Sequence, residues 1–424
     1  MLLIKRRPLI TDTRAFQWLF LVICASLASS LFLDAYPRKL FYVATYAVVL
    51  FMVIKIKRGE FVYDRTALAV AGALILTGSV RIIWGLMFSH AHFSDVTSNY
   101  RTGGKIFLVS SMLAYFSIAW RHYLTRLTAL SGFAILFAGL LATLGFSVHE
   151  HLSTGLRVQL LSDSAGTISY LMTALALTTM FMGYRAVENT GLRLGIFLTL
   201  FFINTVLLIL TESRAGVLTL PVLYVAFFCM THPRLIKSAL LPLFILMAAG
   251  FTVLPHSVWQ RLDSISTEVS SYNTNNDTSI GARFSIWKGG FHSVSWSLIG
   301  QSPDDRTMKA REYITEHERK NPEAFKNVQY HLHDDILETL SLQGLSGVVS
   351  LLLFYLVLVI APVKCRTYGL SVLPVSFIIF GLTDTVLIQS FSVTVICLAV
   401  IVSYALMRKG ADEELNPSPV SGMP

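Results

Sequence analysis

The sequence predicts an all-α polytopic membrane protein, and three observations carry this prediction. First, 54% of the 424 residues are hydrophobic and only 14% are charged, against roughly 45–50% and 25% in soluble domains. Second, the mean hydropathy of +0.61 means that most of the chain cannot face water. Third, long apolar runs recur along the chain, and a membrane-spanning helix needs about 20 mainly apolar residues. These observations exclude a soluble cytosolic enzyme.

Twelve apolar runs are interpreted as membrane-spanning helices. Nine are clear, two have only 15 residues each, and one contains Arg81. Because twelve is an even number, both chain termini are expected on the same side of the membrane. In chain order, the runs are 15–33, 40–54, 66–88, 106–120, 127–148, 164–184, 194–211, 215–230, 238–253, 339–363, 367–383 and 385–407.

The distribution of Lys and Arg predicts the orientation of these spans. Eighteen cations lie on the side of the two termini, whereas the short loops on the other side hold six. Since cytoplasmic loops retain positive charge, the termini are expected in the cytoplasm. The net charge of +9 is then a topology signal, and no nucleic-acid partner is expected. The predicted organisation is nine spans in 1–254, a large outer loop in 255–338, three spans in 339–409 and a disordered cytoplasmic tail in 410–424.

The large outer loop is predicted to be partly helical. Residues 281–296 can form a helix with Arg283, Trp287 and Phe291 on one face, because residues four apart stack. Residues 308–319 are also predicted to form a helix, but one with polar residues on all its faces. That second helix is interpreted as a solvated lid.

Several charged residues on the outer side are hard to explain as packing. Arg214 lies in a tight turn between two spans, where it could contact a ligand, snorkel to lipid headgroups or be neutralised by Glu212. Arg81, inside the third span, could likewise meet a lipid phosphate or snorkel. Arg157 stands in a short outer loop and suits an anionic ligand by its charge alone. Asp384, between the last two spans, could orient a cation, bind a sugar hydroxyl or cap a helix.

His333 stands where the chain re-enters the membrane after the outer loop. Gly344 follows eleven residues later, about three helical turns, so the two are expected on one face of a single helix. Gly344 and Gly347 are one turn apart and would let a neighbouring helix or a lipid chain approach closely. A buried, hydrogen-bonded histidine with only a structural role is the alternative for His333.

A metal site is not expected near His333. Asp334 and Asp335 are adjacent in sequence, and adjacent helical residues point in different directions. His331 and His333 lack the i, i+4 spacing of a two-histidine zinc helix. The ligand set is therefore incomplete, and no metal or other cofactor is predicted.

Three blocks of the sequence resemble those of a known family, the bacterial O-antigen ligases. The layout of twelve spans, cytoplasmic termini and one large loop, periplasmic in that family, is similar over the whole chain. One departure is Asp334, where the family usually has Asn, Ser or Gln. The blocks that carry the resemblance are His333-Asp334 with Gly344 and Gly347, Ser213-Arg214-Ala215-Gly216, and Gly281-Ala282-Arg283.

The resemblance implies a glycosyltransferase of GT-C-like architecture in the bacterial inner membrane. Its donor would be O-antigen polysaccharide on undecaprenyl pyrophosphate, and its acceptor a sugar hydroxyl of lipid A-core oligosaccharide, with membrane lipids around both. The transfer would occur at the periplasmic face, with inversion and without a metal. Arg214 and Arg283 would clamp the pyrophosphate, because Arg offers permanently charged, forked donors, and His333 would act as the general base.

Further residues are expected to contact substrate. These are Arg81, Arg157, Asp384, Gly344 and Gly347. Three alternatives stay open at the level of sequence: an O-antigen polymerase, which uses a second lipid-linked glycan as acceptor; a protein O-oligosaccharyltransferase; and, outside enzymes, a transporter or flippase of lipid-linked glycans. Transporters tend to show internal repeats and charges at the bilayer midplane, and neither feature is found in this sequence.

Overall fold

The fold is all-helical over the residues that the computed structural model describes, which are 11–162, 164–235, 256–319 and 321–408. This part of the chain contains fifteen α-helices, two short 3₁₀ turns and no strand, so the all-α prediction is confirmed. The helices are α1 (Asp12–Ser29), α2 (Ala35–Lys57), α3 (Arg65–Met87), α4 (Ser94–Ala119), α5 (Arg126–Thr154), α6 (Ala165–Ala186), α7 (Thr190–Thr211), α8 (Arg214–Thr231), α9 (His256–Ser270), α10 (Ser279–His292), α11 (Pro303–His317), α12 (Pro322–Asn327), α13 (Asp335–Lys364), α14 (Val372–Gly381) and α15 (Ser390–Tyr404).

Eight helices within the described ranges are long and apolar enough to cross a membrane, namely α2 to α8 and α13. Two shorter apolar segments, Tyr368–Gly381 and Ser390–Tyr404, lie near the end of the chain. A polytopic membrane protein is therefore confirmed, whereas the count of twelve spans and the domain boundaries stay predictions. The span predicted at 238–253 and the tail at 410–424 lie outside the described residues.

The helix α6 lies at the centre of the bundle and packs against α5, α7, α8 and α15. It can be buried although it carries several hydroxyl groups, because they bond to the helix's own carbonyls. Thr173 donates to Ser169 O at 2.9 Å, and Thr179 donates to Leu175 O at 2.7 Å. The hydroxyls therefore cost little when water is excluded.

The boundary between the last two apolar helices differs from the boundary that the apolar runs predict. Helix α14 ends at Gly381 and α15 begins at Ser390, so residues 382–389 form a non-helical loop. The predicted runs 367–383 and 385–407 therefore extend into this loop from either side. Hydropathy could not reveal this loop, because Val386, Leu387 and Ile388 within it are apolar and buried.

Helix α13 is kinked at Gly344, whose φ of 66° and ψ of −155° are not helical. His333 lies before the helix, ahead of the N-cap Asp334, and its own φ is 54°. The prediction that His333 and Gly344 lie on one face of a single helix is therefore wrong. A left-handed residue at one end and a break at the other cannot be seen in an apolar pattern.

Helices α10, α11 and α12 pack together as a small layer with an apolar cluster of its own. Helix α10 is Ser279–His292 rather than 281–296, and α11 is Pro303–His317 rather than 308–319. The expectation that α11 is polar all round is wrong, because Ala310 and Ile314 are fully buried on it. The shared apolar cluster consists of Ala282, Ile286, Ala310, Ile314, Ala324, Val328 and Leu332. The helix α11 is thus a packed element and not a solvated lid.

Candidate active site

His333 and Asp384 form the centre of the site. The Nδ1 of His333 lies 2.9 Å from Oδ1 of Asp384, although the two residues are 51 positions apart. The histidine side chain is 21% exposed and the aspartate side chain 7%. Burial alone would raise the pKa of Asp384, but the hydrogen bond and the charge of His333 outweigh it and hold that pKa well below its usual range. Since an ionised carboxylate can only accept, Nδ1 carries the hydrogen, and in the neutral form of the imidazole the lone pair is then on Nε2.

The non-helical loop 382–389 is held in place from several elements. Arg283 on α10 donates from NH1 to Thr383 O at 2.9 Å, and the hydroxyl of Tyr170 on α6 lies 3.3 Å from Oγ1 of Thr383. Asp335, the first residue of α13, accepts the backbone N–H of Leu387 at 3.2 Å. These contacts fix the position of Asp384 because they hold the loop on both sides of it.

Arg81 is buried inside the bundle and is only 2% exposed. Its guanidinium lies 5.2 Å from the ring centre of Tyr100 and 5.0 Å from that of Phe107, and it donates to Leu387 O. The guanidinium of Arg81 therefore does not snorkel to the surface in this structure, and its contact with a phosphate stays a prediction. The cation instead supports the loop that carries Asp384.

His331 lies directly beside the catalytic candidate. Its ring meets that of His333 edge-on, with the ring centres 4.2 Å apart, and its Nδ1 is buried without a hydrogen-bond partner in the described part of the chain. Burial, followed by the nearby charge of His333, lowers the pKa of His331 to about 3. Together with Asp384, the two histidines place three ligand-type atoms within 4.8 Å of one another. Sequence spacing could not predict this cluster, because Asp384 comes from a distant loop.

Arg214 occupies the first position of α8. The N-cap Ser213 accepts the backbone N–H of Gly216 at 3.2 Å, so the Ser-Arg-Ala-Gly block begins the helix. The guanidinium of Arg214 donates to Ser264 Oγ at 2.8 Å and to Glu268 Oε1 at 2.7 Å. The ion pair is partly exposed, with 20% of the Arg214 side chain accessible. Arg214 is therefore anchored to α9.

Glu212 does not neutralise Arg214, in contrast to the alternative drawn from the sequence. Its carboxylate pairs with Arg261 at 3.3 Å. Arg157 donates from Nε to Thr211 O at 3.0 Å and so braces the end of α7. Burial and the positive charge of Arg261 lower the pKa of Arg157. Arg157 therefore lies among these arginines and braces the turn before Arg214.

Arg283 lies in the first turns of α10, whose N-cap Thr278 accepts the N–H of Gly281 at 3.0 Å. A Cβ added at Gly281 would lie 2.4 Å from Asn276 O, which explains the glycine two positions before the arginine. Arg283 is half-buried. Its hydrogen bond goes to a backbone carbonyl of the Asp384 loop, and within the described ranges it forms no ion pair with a carboxylate.

Asp334 caps α13, because its Oδ1 accepts the backbone N–H of Leu337 at 2.7 Å. Short polar side chains are strongly preferred at this position. The aspartate that departs from the usual family pattern is therefore the N-cap of α13 in this chain.

Two buried residues in the site were missed by sequence reasoning. Arg306 pairs with Glu338 at 3.1 Å, and their side chains are 0% and 1% exposed. The same carboxylate oxygen of Glu338 accepts the backbone N–H of Leu332 at 2.9 Å, immediately before His333. The only signal in the sequence was a charged residue in each of two helices, and neither spacing nor hydropathy pairs them.

Gly344 and Gly347 allow the chain's own segments to pack closely. A Cβ at Gly344 would lie 2.3 Å from Ser297 O, and one at Gly347 would lie 2.3 Å from Cβ of Gln343. The close approach expected at Gly344 is real, but its partner is the protein segment around Ser297 and Gly300, whereas the atoms close to Gly347 belong to side chains of α13 itself. Gly344 in addition has a left-handed φ that only glycine adopts readily.

The fold and the site together define a polytopic membrane protein with a His–Asp pair and two arginines at one end of its helical bundle. Comparison with known proteins finds a similarity to one family. Residues 199–352 match the family model described as O-antigen ligase. The chain is also 26% identical over 345 residues to an O-antigen ligase of Escherichia coli (strain K12), covering 78% of this chain and 79% of that protein. These matches confirm the resemblance to the bacterial O-antigen ligases.

Proposed function

We propose that the protein transfers a completed O-antigen glycan from undecaprenyl pyrophosphate to a sugar hydroxyl of lipid A-core at the periplasmic face of the inner membrane. The single observation that carries this proposal is the 2.9 Å contact between Nδ1 of His333 and Asp384. It orients the imidazole so that Nε2 can accept a proton when His333 is neutral, and the side chain is 21% exposed. The match of residues 199–352, which include His333, Arg214 and Arg283, supports the same reaction class.

The His–Asp pair suits the activation of a weak nucleophile. Nε2 of His333 accepts the proton of the acceptor hydroxyl while its oxygen bonds to the anomeric carbon of the donor. The bond between that carbon and the pyrophosphate oxygen breaks, and the pyrophosphate leaves with the electron pair. Attack opposite the leaving group inverts the anomeric centre. General-base help of this kind typically contributes roughly 10²–10⁴-fold, and Asp384 stabilises the imidazolium that forms.

The two arginines suit the leaving group, since negative charge grows on the pyrophosphate as the bond breaks. Arg283 is the stronger candidate for a direct contact because no carboxylate among the described residues engages it. Arg214 contributes positive charge from a fixed position on α8, anchored by Glu268. One donor placed at developing charge is worth about 2.7–4 kcal/mol. Lys at either position would lose the forked geometry that matches phosphate oxygens.

The orientation follows from the sequence. The eighteen cations on the side of the termini favour a cytoplasmic location for that side, so the His333 end of the bundle faces the periplasm. A lipid-linked donor presents its pyrophosphate at this level, because the polyprenyl chain stays in the bilayer. The acceptor sugar of lipid A-core reaches the same level from the periplasmic leaflet.

The test is ligation by purified protein in proteoliposomes that contain a lipid-linked glycan donor and lipid A-core. His333→Ala and Arg283→Ala are expected to insert and fold but to lose ligation by at least about 10²-fold. His90→Ala is the matched control, because His90 is exposed near the end of α3 and outside the site. Wild-type ligation by His333→Ala would end the proposal.

A second experiment distinguishes the acceptor. Deletion of the gene should leave bare lipid A-core while full-length polymer accumulates on undecaprenyl pyrophosphate. Single repeat units attached to core would instead identify a polymerase, and donor trapped on the cytoplasmic side would identify a transporter.

A further inference from the structure

An exposed apolar tip lies between α10 and α11. It contains four large apolar side chains within nine residues, and the rings of Phe291 and Trp296 lie 6.1 Å apart. Two residues of this segment have a left-handed backbone conformation, with φ of 47° at Trp296 and 86° at Gly300. We call this segment the apolar tip; its side chains and their exposed fractions are Phe291 54%, Trp296 61%, Leu298 70% and Ile299 49%.

The apolar tip is bonded to the kink of α13. Its backbone accepts from the two residues after the kink: Leu345 N donates to Ser297 O at 2.9 Å, and Ser346 N donates to Leu298 O at 3.0 Å. On the other side of the kink, Gln301 N donates to Leu342 O at 2.9 Å. The tip thus replaces helical hydrogen bonds that α13 lacks at Gly344, and its level along α13 is fixed.

That level coincides with one boundary of the hydrocarbon region. The part of α13 after Gly344 runs to Lys364, about 20 residues or roughly 30 Å, which is the thickness of a bilayer's hydrocarbon core. Its outward side chains are apolar and exposed, as expected for a lipid-facing surface. They include Leu345 38%, Val349 52%, Leu352 47% and Leu356 52%.

Helix α3 indicates, independently of α13, the same position for this boundary of the hydrocarbon region. Trp84 in the last turn of α3 donates from Nε1 to Gln301 O at 3.2 Å. Around it, Ile83, Leu86 and Met87 are 58%, 57% and 53% exposed. The apolar tip therefore continues the lipid-facing surface of two membrane helices at the point where both leave the bilayer.

We propose that the apolar tip inserts its side chains among the acyl chains of the leaflet on the His333 side and anchors region 256–334 to the bilayer. The occupant of this surface is phospholipid, because the surface is continuous with the lipid-facing sides of α3 and α13. Tryptophan at the tip suits this depth, since its ring favours the membrane interface.

The anchor also has a consequence for the site, which rests on the proposed function. Helix α10 links the tip to Arg283, and Trp287 on the same helix donates to His333 O at 3.4 Å. A tip held at the leaflet surface would hold Arg283 and His333 at a constant height above the acyl chains. That is the height at which the pyrophosphate of a lipid-linked donor lies.

The test uses the full-length protein in phosphatidylethanolamine and phosphatidylglycerol vesicles, with an environment-sensitive fluorophore on Leu298→Cys. We expect blue-shifted emission, quenching by brominated acyl chains and protection from aqueous iodide. Met308→Cys is the matched control, because Met308 is 61% exposed on α11 but outside the tip, and its label should be quenched by iodide. Labelling of the unsubstituted protein measures the contribution of the native cysteines.

Two results would overturn the anchor. Quenching of the Leu298 label by iodide to the extent seen at position 308 would place the tip in water. Protection from both quenchers would indicate that a second copy or another protein covers the tip. Because quenching needs no substrate, these results are independent of the ligation assay, and failure of one proposal is distinguishable from failure of the other.

Discussion

His333 is held from two sides by regions that use different chemistry. On one side, Asp384 from the loop 382–389 bonds the imidazole itself at 2.9 Å. On the other side, the buried pair of Arg306 and Glu338 bonds the backbone N–H of Leu332, also at 2.9 Å. The first region decides which imidazole nitrogen carries the proton. The second fixes the position of the backbone immediately before His333.

The two regions also differ in how far their side chains are exposed to water. The His333 side chain is 21% accessible, as its proposed contact with substrate requires. The Arg306 and Glu338 side chains are withdrawn from water almost completely. A buried pair is costly to break because the remaining charge has neither water nor partner. Damage on the imidazole side should therefore appear in the rate, and damage on the backbone side in stability.

The largest expected effect is from Asp384→Asn. An amide can donate toward Nδ1 of His333, which would move the imidazole hydrogen to Nε2 and remove the base. Ligation should fall by roughly 10²–10⁴-fold, and the unfolding temperature should fall as well, because the stabilising charge of Asp384 is lost. The measurement is the initial rate in proteoliposomes, with the exposed Asp263→Asn as control. A rate within twofold of wild type would show that Asp384 does not set the tautomer.

A somewhat smaller effect, on stability, is expected from Arg306→Met. It leaves Glu338 buried without its charged partner, which costs about 3–5 kcal/mol. The double variant Arg306→Met/Glu338→Met should regain much of that loss but stay slow in ligation, because Leu332 N–H has lost its acceptor. Thermal unfolding in detergent measures the first quantity and proteoliposome rates the second.

The control for this pair is Arg126→Met, since the Arg126 side chain is 67% exposed in its own ion pair with Glu188. Exposed pairs are worth roughly 0–1 kcal/mol. If Arg306→Met destabilised the protein no more than Arg126→Met, the buried pair would not be what holds the segment before His333.

The smallest expected effect concerns pH. The folded pKa of His331 is about 3 because of burial, below its ordinary value near 6.5. The unfolded chain therefore binds a proton first, and stability falls as the pH drops from about 6.5 toward 3, by roughly 1 kcal/mol per unit. Asp384 acts at lower pH, since its depressed pKa keeps its stabilising charge until strongly acidic conditions.

His331→Asn should flatten this dependence between pH 6.5 and 4.5. The measurement is the unfolding temperature across that range in detergent, with His90→Asn as the control that keeps the slope. An unchanged slope in His331→Asn would assign the acid sensitivity to other groups, such as the paired carboxylates.

Much of the architecture could be predicted because membrane insertion depends on local composition. Apolar runs predicted helices α2 to α8, and the tight turn predicted around Arg214 lies between α7 and α8. The site was predicted less completely. His333, Arg214 and Arg283 were recognised as chemically unusual, but Asp384 could equally have been a helix cap, and no role was predicted for Arg306.

The sequence by itself determined that this is a helical membrane protein with a few unusual charges and a histidine at one end. Hydropathy and charge are properties of short segments, so they can be read without a fold. Only the tertiary structure decided which charges meet. The pairs His333–Asp384 and Arg306–Glu338 depend on a left-handed residue at 333, a kink at Gly344 and a break in the helix at 382–389. Each is stabilised by contacts between segments far apart in the chain, and a segment's own composition does not encode them.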